Sequence, residues 1–268
     1  MGNDTNQTSK PRTLQTAERT LKVIETLKES NGMTVTEMAN ELDCSMGGAY
    51  NHLATLREKD FVVQVDNVYK LSPRFVLMGE HVRQDNLMYQ FGKDELEEIV
   101  EETGEYGQLI TEEHGLGIVI YLHRGEKAVG SDYRSHMEKK PLYLHHLAAG
   151  KAILAELPED RVEAILDKHE LIQRTSDTIT DRESLYSELE SVREQGYAYN
   201  DEEEVDGLRA IGAPIVGPDD DVLGALSISG PKSRMQGDRF ETKLPKMVKN
   251  TADVIEINIQ MEHSTKDL

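Results

Sequence analysis

The sequence predicts an α+β chain: an N-terminal winged helix-turn-helix, a connecting helix and a C-terminal α/β domain. Three observations carry this. Two helical patterns, a tight turn, a third helical pattern and a two-residue hairpin follow one another between Thr16 and Leu71. From Glu105 onward, strand patterns alternate with amphipathic helices. The charge also divides unevenly. The chain has 268 residues and a formal charge of −20, but residues 1–84 carry ten basic and eleven acidic side chains, leaving −19 for the rest. Such asymmetry points to two domains with different partners.

Residues 1–12 are polar and read as a tail. Thr16 is the expected N-cap of a first helix reaching Ser30, with Ala17, Leu21, Ile24 and Leu27 on one face; Asn31-Gly32 ends it. Thr34 or Thr36 caps a short second helix that turns Val35, Met38, Ala39 and Leu42 inward. Asp43-Cys44-Ser45 makes the turn, and Ser45 caps a third helix to about Lys59 with Ala49, Leu53 and Leu56 inside. Asp60 ends it. Phe61–Val65 and Val68–Leu71 then flank Asp66-Asn67, a two-residue hairpin turn. These elements place a winged helix-turn-helix at 13–73.

Ser72-Pro73 breaks the chain before a linker helix at 74–104, expected to be interrupted near Gly92. The α/β domain is expected over 105–263. Tyr106–Glu112 and Ile118–His123 read as antiparallel strands around His114-Gly115, and Ala128–Arg134 as a further strand. His145–Glu156 reads as a helix. Pro158 opens another, Glu159–His169, and Asp181 caps Arg182–Glu194, which Gly196 ends. Gly212–Val216 and Val222–Ser229 are strands, and Arg239–Glu262 is the closing helix.

With Ala49, Leu53 and Leu56 buried, the opposite face of the third helix carries Gly47, Asn51, Thr55 and Glu58, flanked by Gly48 and Tyr50. Asn51 has the geometry to read adenine with a bidentate pair. Thr55 and Tyr50 suit phosphates or a thymine methyl, Arg57 and Lys59 suit the phosphate backbone, and Asn67 at the wing tip suits the minor groove or its phosphates. Each of the two glycines costs about 1 kcal/mol against Ala within a helix. They mark either a close approach to DNA or a frayed first turn. His52 points partly inward and reads as packing.

Composition excludes several classes. No run of about 18 apolar residues appears, so no helix spans a membrane. Met1–Arg12 lacks an apolar signal region, which leads to an expected cytoplasmic location. The single Cys44 rules out a disulfide framework and a Cys-rich zinc site. Acid excess with only 16 Lys, 4 Phe and no Trp suits a folded surface working in molar salt, where charges are screened within about 3 Å, the alternative being an acidic mesophilic cytosolic protein. With few cations near the third helix, non-specific DNA affinity is expected to be low.

Three segments of the second domain carry a resemblance. Leu144-His145-His146-Leu147-Ala148-Ala149-Gly150-Lys151-Ala152-Ile153-Leu154-Ala155 resembles LHxxAxGKAxLA. Asn200-Asp201-Glu202-Glu203 with Gly207-Leu208-Arg209-Ala210-Ile211-Gly212-Ala213-Pro214-Ile215 resembles DDEE…GxRCxAAPI. Ala225-Leu226-Ser227-Ile228-Ser229-Gly230-Pro231 resembles ALSxSGP. These are signatures of the IclR family of transcriptional regulators. Thr13–Arg19 and Ser45–Leu56 are similar to its first and recognition helices, so the likeness runs from about Thr13 to Ile259. Together with the composition, it identifies the chain as an IclR-type regulator of a halophilic archaeon.

The resemblance implies a GAF-like effector domain for a small organic molecule, double-stranded operator DNA as partner, and dimers or dimers of dimers. Its pocket positions fall on Ala149, Gly150, Asn200, Ala210, Ser227 and Ser229. The Ala149-Gly150 amides open a helix and can hold an anion. Asn200 stands where the family has Asp, and Ala210 where it has Cys, so a sugar, a sugar acid or a small organic acid is the expected effector and a catabolic operon the expected target. Asn51 stands where the family commonly has Arg, and Gly47-Gly48 where it has Ser/Thr, which puts the operator sequence apart from the family's.

Ser227 and Ser229 alternate with Leu226 and Ile228, so they share one strand face, toward either pocket or solvent. Asp201–Glu204 reads as a solvated loop. His145-His146 reads as structural, with no metal and no cofactor expected. No nucleophile–base pair, phosphate loop or metal cluster supports an enzyme. The competing function is a DNA-binding or architectural protein with a vestigial pocket and no effector.

Overall fold

The computed structural model describes residues 12–130 and 141–266. Apart from Arg12, the expected tail lies outside them. The chain forms two compact units, 1–82 and 83–268.

In the first unit, α1 spans Gln15–Glu29, α2 Val35–Glu41 and α3 Met46–Glu58; β1 is Val62–Val65 and β2 Val68–Leu71. α1 starts earlier than expected. Leu14 is its N-cap without a side-chain bond, and Thr16 lies inside the helix, its carbonyl accepting from the Thr20 hydroxyl. Nothing in Leu14-Gln15 opposes helix, so the first turn extends past the expected cap. For α2 the choice falls on Thr34, which forms a capping box: its hydroxyl accepts from Glu37 N and the Glu37 carboxylate accepts from Thr34 N. Asp43 and Asp60 take positive φ at the two helix ends, as short polar side chains tolerate. β1 and β2 pair antiparallel with Val65 opposite Val68, so Asp66-Asn67 is the whole turn. Met33 bridges Tyr69, tying the wing to the α1–α2 loop. Val23, Leu27, Met38, Ala49, Leu53, Leu56, Val62 and Tyr69 form one buried cluster.

The expected linker helix is two helices, α4 Arg74–Gln84 and α5 Leu87–Thr103. The break falls at Asp85-Asn86, where the Asn86 side chain caps α5 by accepting from Tyr89 N. Gly92 is not a break: it is buried inside α5 against Leu109 and Ile255. α5 buries Met88, Leu96, Ile99 and Val100 in the second unit's core, so this half of the connector is part of the sheet domain.

The second unit is built on a six-stranded antiparallel sheet of β3 Tyr106–Glu113, β4 Leu116–Arg124, β5 Leu142–Tyr143, β6 Ala198–Asp201, β7 Leu208–Val216 and β8 Val222–Pro231, in the order β5-β4-β3-β8-β7-β6. β5 and the edge strand β6 were not expected as strands. Ala128–Gly130 is not strand, and the rest of that predicted segment lies outside the described residues. A 3-10 turn, Leu144–His146, precedes α6 Ala148–Glu156, in place of one helix from His145. α7 is Glu159–Lys168, with Pro158 at its N-cap rather than its first turn. α8 is Arg182–Gln195, capped by Asp181 as expected. A π-helical turn at Arg239–Lys243 leads into α9, Leu244–Lys266.

Alternating strand residues build two cores. Leu109, Ile211, Ala213, Ile215, Leu226 and Ile228 pack with α5 and α9. Ile110, Ala198 and Ala225 pack with α6, α7 and α8 on the other face. No helix among the described residues is long and apolar enough to cross a membrane.

Candidate functional site

On α3, Ala49, Leu53 and Leu56 are buried, while Gly47, Tyr50, Asn51, Thr55 and Arg57 are exposed. The Ser45 hydroxyl caps the helix, accepting from Gly48 N at 3.1 Å. Asn51 thus stands on the outward face with its amide exposed. Thr55 donates its hydroxyl to the Asn51 carbonyl at 2.7 Å, a bond within the helix. Arg57 donates to Gln64 Oε1 on β1, and Gln64 Nε2 donates to the Asp66 carbonyl at 3.0 Å. Arg57 therefore braces the wing. Asn67 is exposed at the wing tip. His52 is half-buried, with Nδ1 2.8 Å from the Thr20 hydroxyl, which fixes α3 to α1.

A Cβ on Gly47 would meet nothing within 4 Å, so no packing inside this chain demands glycine there. Gly47→Ala should therefore raise stability by up to about 1 kcal/mol. If the missing side chain serves close approach to DNA, duplex affinity falls in the same variant. Thermal melting and duplex titration check the two effects separately, and unchanged affinity leaves the frayed-turn reading.

In the second unit the strand register aligns two rows on the sheet face toward α6. Asn200, Ala210, Ser229 and Tyr106 are successive cross-strand partners, and so are Ala198, Gly212, Ser227 and Gln108. Ser227 and Ser229 are buried, so they do not face solvent. Leu226 and Ile228 between them point into the opposite core. The start of α6 rests on this face: a Cβ on Gly212 would come within 2.6 Å of Ala149 N. Gly150 is pressed against the Leu144 backbone. Of the expected pocket positions, Asn200, Ala210, Ser227 and Ser229 thus share one face, and Ala149 abuts it through Gly212.

Asn200 is 1% exposed and its amide is engaged at both ends. Nδ2 donates to the His146 carbonyl and Oδ1 accepts from Glu203 N, both at 2.9 Å. It clamps the 3-10 turn to the acidic loop. Gln108 is the residue that sequence reading missed. It is 2% exposed, opposite Ser227, with Nε2 3.5 Å from Ser229 Oγ. A glutamine at an inward strand position was the available signal.

The acidic run is not a solvated loop, which corrects that expectation. Asp201 pairs with Arg209, Glu202 with Lys232 and Glu203 with Lys151, while Glu203 and Glu204 are buried. The carboxylates face cations contributed by other segments, which local composition cannot reveal. Lys151 is itself buried and also bonds Glu188 at 2.9 Å. Burial pushes the Glu203 carboxyl above the usual glutamate range, against the opposing effect of Lys151. Glu105, wholly buried, takes Arg234 through both carboxylate oxygens.

His145 Nε2 lies 3.1 Å from the Ile172 carbonyl, and burial lowers its pKa, consistent with a structural ring. Among the described residues, no three His, Cys, Asp or Glu side chains converge as metal ligands.

Comparison with known proteins covers both units. Residues 82–257 match the family model described as "Bacterial transcriptional regulator IclR C-terminal", and residues 18–65 match a helix-turn-helix domain. The chain is 37% identical over 251 residues to the probable HTH-type transcriptional regulator ArcR of Halobacterium salinarum, covering 93% of this chain and 95% of that protein. It is 29% identical to the transcriptional repressor IclR of Escherichia coli, covering 84% and 83%. The crystal structure of the Thermotoga maritima IclR superposes with a TM-score of 0.73 at 27% identity, covering 91% of this chain and 98% of that one. These relatives are transcriptional regulators rather than enzymes, and the winged first unit and the GAF-like second unit have the matching architecture. The chain belongs to the IclR family of transcriptional regulators.

Proposed function

We propose that this DNA-binding regulator responds to a small polar metabolite, namely a sugar, sugar acid or small organic acid, and controls a catabolic operon. In this reading, residues 13–73 hold the operator, 74–104 transmit and 105–263 bind the effector. The protein works as a homodimer or dimer of dimers in a cytoplasm of high salt. Asn51, Tyr50 and Thr55 read base edges, with Ser45, Gly47, Gly48 and Asn67 at the DNA surface.

One observation supports effector binding above the others. Ser227, Ser229 and Gln108 gather on a strongly buried patch of one sheet face, where the first amides of α6 begin. A small molecule with hydroxyl or carboxylate oxygens would meet serine hydroxyls, an amide side chain and helix-start N–H groups on one face.

The test is thermal melting of the full chain in molar KCl with a panel of sugars, sugar acids and short carboxylic acids, then footprinting at the operator with each hit. A hit raises the melting temperature and shifts operator affinity by about 5–150-fold. Ser227→Ala with Ser229→Ala weakens that hit at least about tenfold while DNA binding without ligand persists. A panel with no stabilising compound would leave the architectural reading in place.

A further inference from the structure

A cleft lies at the junction of α6, α8 and the acidic loop, and adjoins the serine rows through the bond from Glu203 N to Asn200 Oδ1. It is an open depression with a volume of about 490 Å³. Five carboxylates line it (Asp177, Glu188, Asp201, Glu202 and Glu203) against two lysines, Lys151 and Lys232. Both lysines are already committed. Lys151 serves Glu188 and Glu203 together, and Lys232 serves Glu202. One cation shared by two carboxylates leaves the Lys151 triad with an excess negative charge.

The independent observation is Glu203. Its side chain is 8% exposed, Oε1 accepts from Lys151 Nζ at 2.6 Å, and Oε2 has no hydrogen-bond donor among the described residues. A buried acceptor without a donor is costly. Glu203 is among the residues that line the cleft, beside Glu188 and Lys151. The cleft is not built for a bare metal ion, because no three such ligands converge among the described residues. Its size is that of a small organic molecule, and Ile179 and Tyr199 supply a less polar wall.

We infer that this cleft binds a small organic cation bearing N–H donors, an alkyl ammonium or guanidinium compound, with one cationic end at Glu203 and Glu188 and a second near Asp177. The site shares none of Ser227, Ser229 and Gln108 and does not depend on the reading of that patch. It is joined to it mechanically, because Lys151 sits on α6, whose first residues rest on Gly212.

The experiment uses the full chain at fixed ionic strength and titrates putrescine, with agmatine as the guanidinium probe. Two controls accompany them: 1,4-butanediol, which has the length without charge, and tetramethylammonium, which has charge without N–H donors. Melting temperature and calorimetric titration are the readouts. Putrescine or agmatine should stabilise saturably and the controls should not. Glu203→Gln should weaken binding at least about tenfold. Asp177 is exposed, so Asp177→Asn folds regardless and should also weaken binding if Glu203→Gln does not fold. Ser227→Ala should leave the titration unchanged. The inference is overturned if tetramethylammonium matches putrescine, if neither amine stabilises, or if the folded variants bind as the parent does.

Discussion

Lys151→Met is expected to lower the unfolding free energy by about 3–5 kcal/mol near pH 7, because it strips the cationic partner from a buried carboxylate. Lys151 is 1% exposed and joins α6 to α8 through Glu188 and to the acidic loop through Glu203. The methionine chain fills most of the lysine's volume, so the loss is electrostatic rather than a cavity. The cost should shrink as pH falls, since a protonated Glu203 no longer needs a cation. Glu203→Gln in the Lys151→Met background should recover much of it.

The parent protein should show a related pH dependence. Burial raises the Glu203 carboxyl above its unfolded value, so the folded state keeps a proton that the unfolded chain has released. Stability from this group is present at low pH and is lost as pH rises through the raised value. Glu203→Gln should remove that slope. Denaturant titrations of the four proteins in molar KCl at pH 5 and pH 7 check both statements. Equal losses for Lys151→Met at the two pH values would mean that the residue acts through packing.

Asn51→Ala is expected to cost about 1–3 kcal/mol of discrimination, or about 5–150-fold, between the operator and a scrambled duplex. Stability should stay within about 0.5 kcal/mol, because the side chain is exposed and no core packing is lost. Fluorescence anisotropy on both duplexes in one KCl concentration separates base reading from backbone contact. If both affinities fall together, Asn51 holds phosphate. Arg57→Ala should behave differently. Its bond to Gln64 braces the wing, so its loss weakens both duplexes and loosens the Asp66-Asn67 turn.

Much of the fold was legible locally. The buried stripe Ala49, Leu53 and Leu56 follows from 3.6-residue periodicity, and the two-residue turn between Val65 and Val68 follows from Asp66-Asn67. The caps at Ser45 and Asp181 follow from side-chain oxygens three residues ahead of amides that lack helical partners. These features depend only on neighbours along the chain. The α5 boundary was misplaced because Gly92 looks like a breaker in isolation, whereas contact with Leu109 and Ile255 favours a small residue inside the helix. The edge strand β6 was missed because a four-residue strand has too little periodicity to announce itself.

The site divides in the same way. That Ser227 and Ser229 share a face is a property of any strand. That the face is buried, lies beside Gln108 and Asn200, and meets the start of α6 depends on pairings across more than 100 residues for Gln108. The charge behaves likewise. Sequence by itself determined the winged helix-turn-helix order, the family motifs and the split of charge between the two halves, because composition and short-range periodicity encode them. Only tertiary structure decided that the acidic run is paired rather than solvated, that Asn200 is a clamp and that one lysine serves two carboxylates. Coulomb and hydrogen-bond energies depend on distance in space and on burial, and neither is written in the order of the residues.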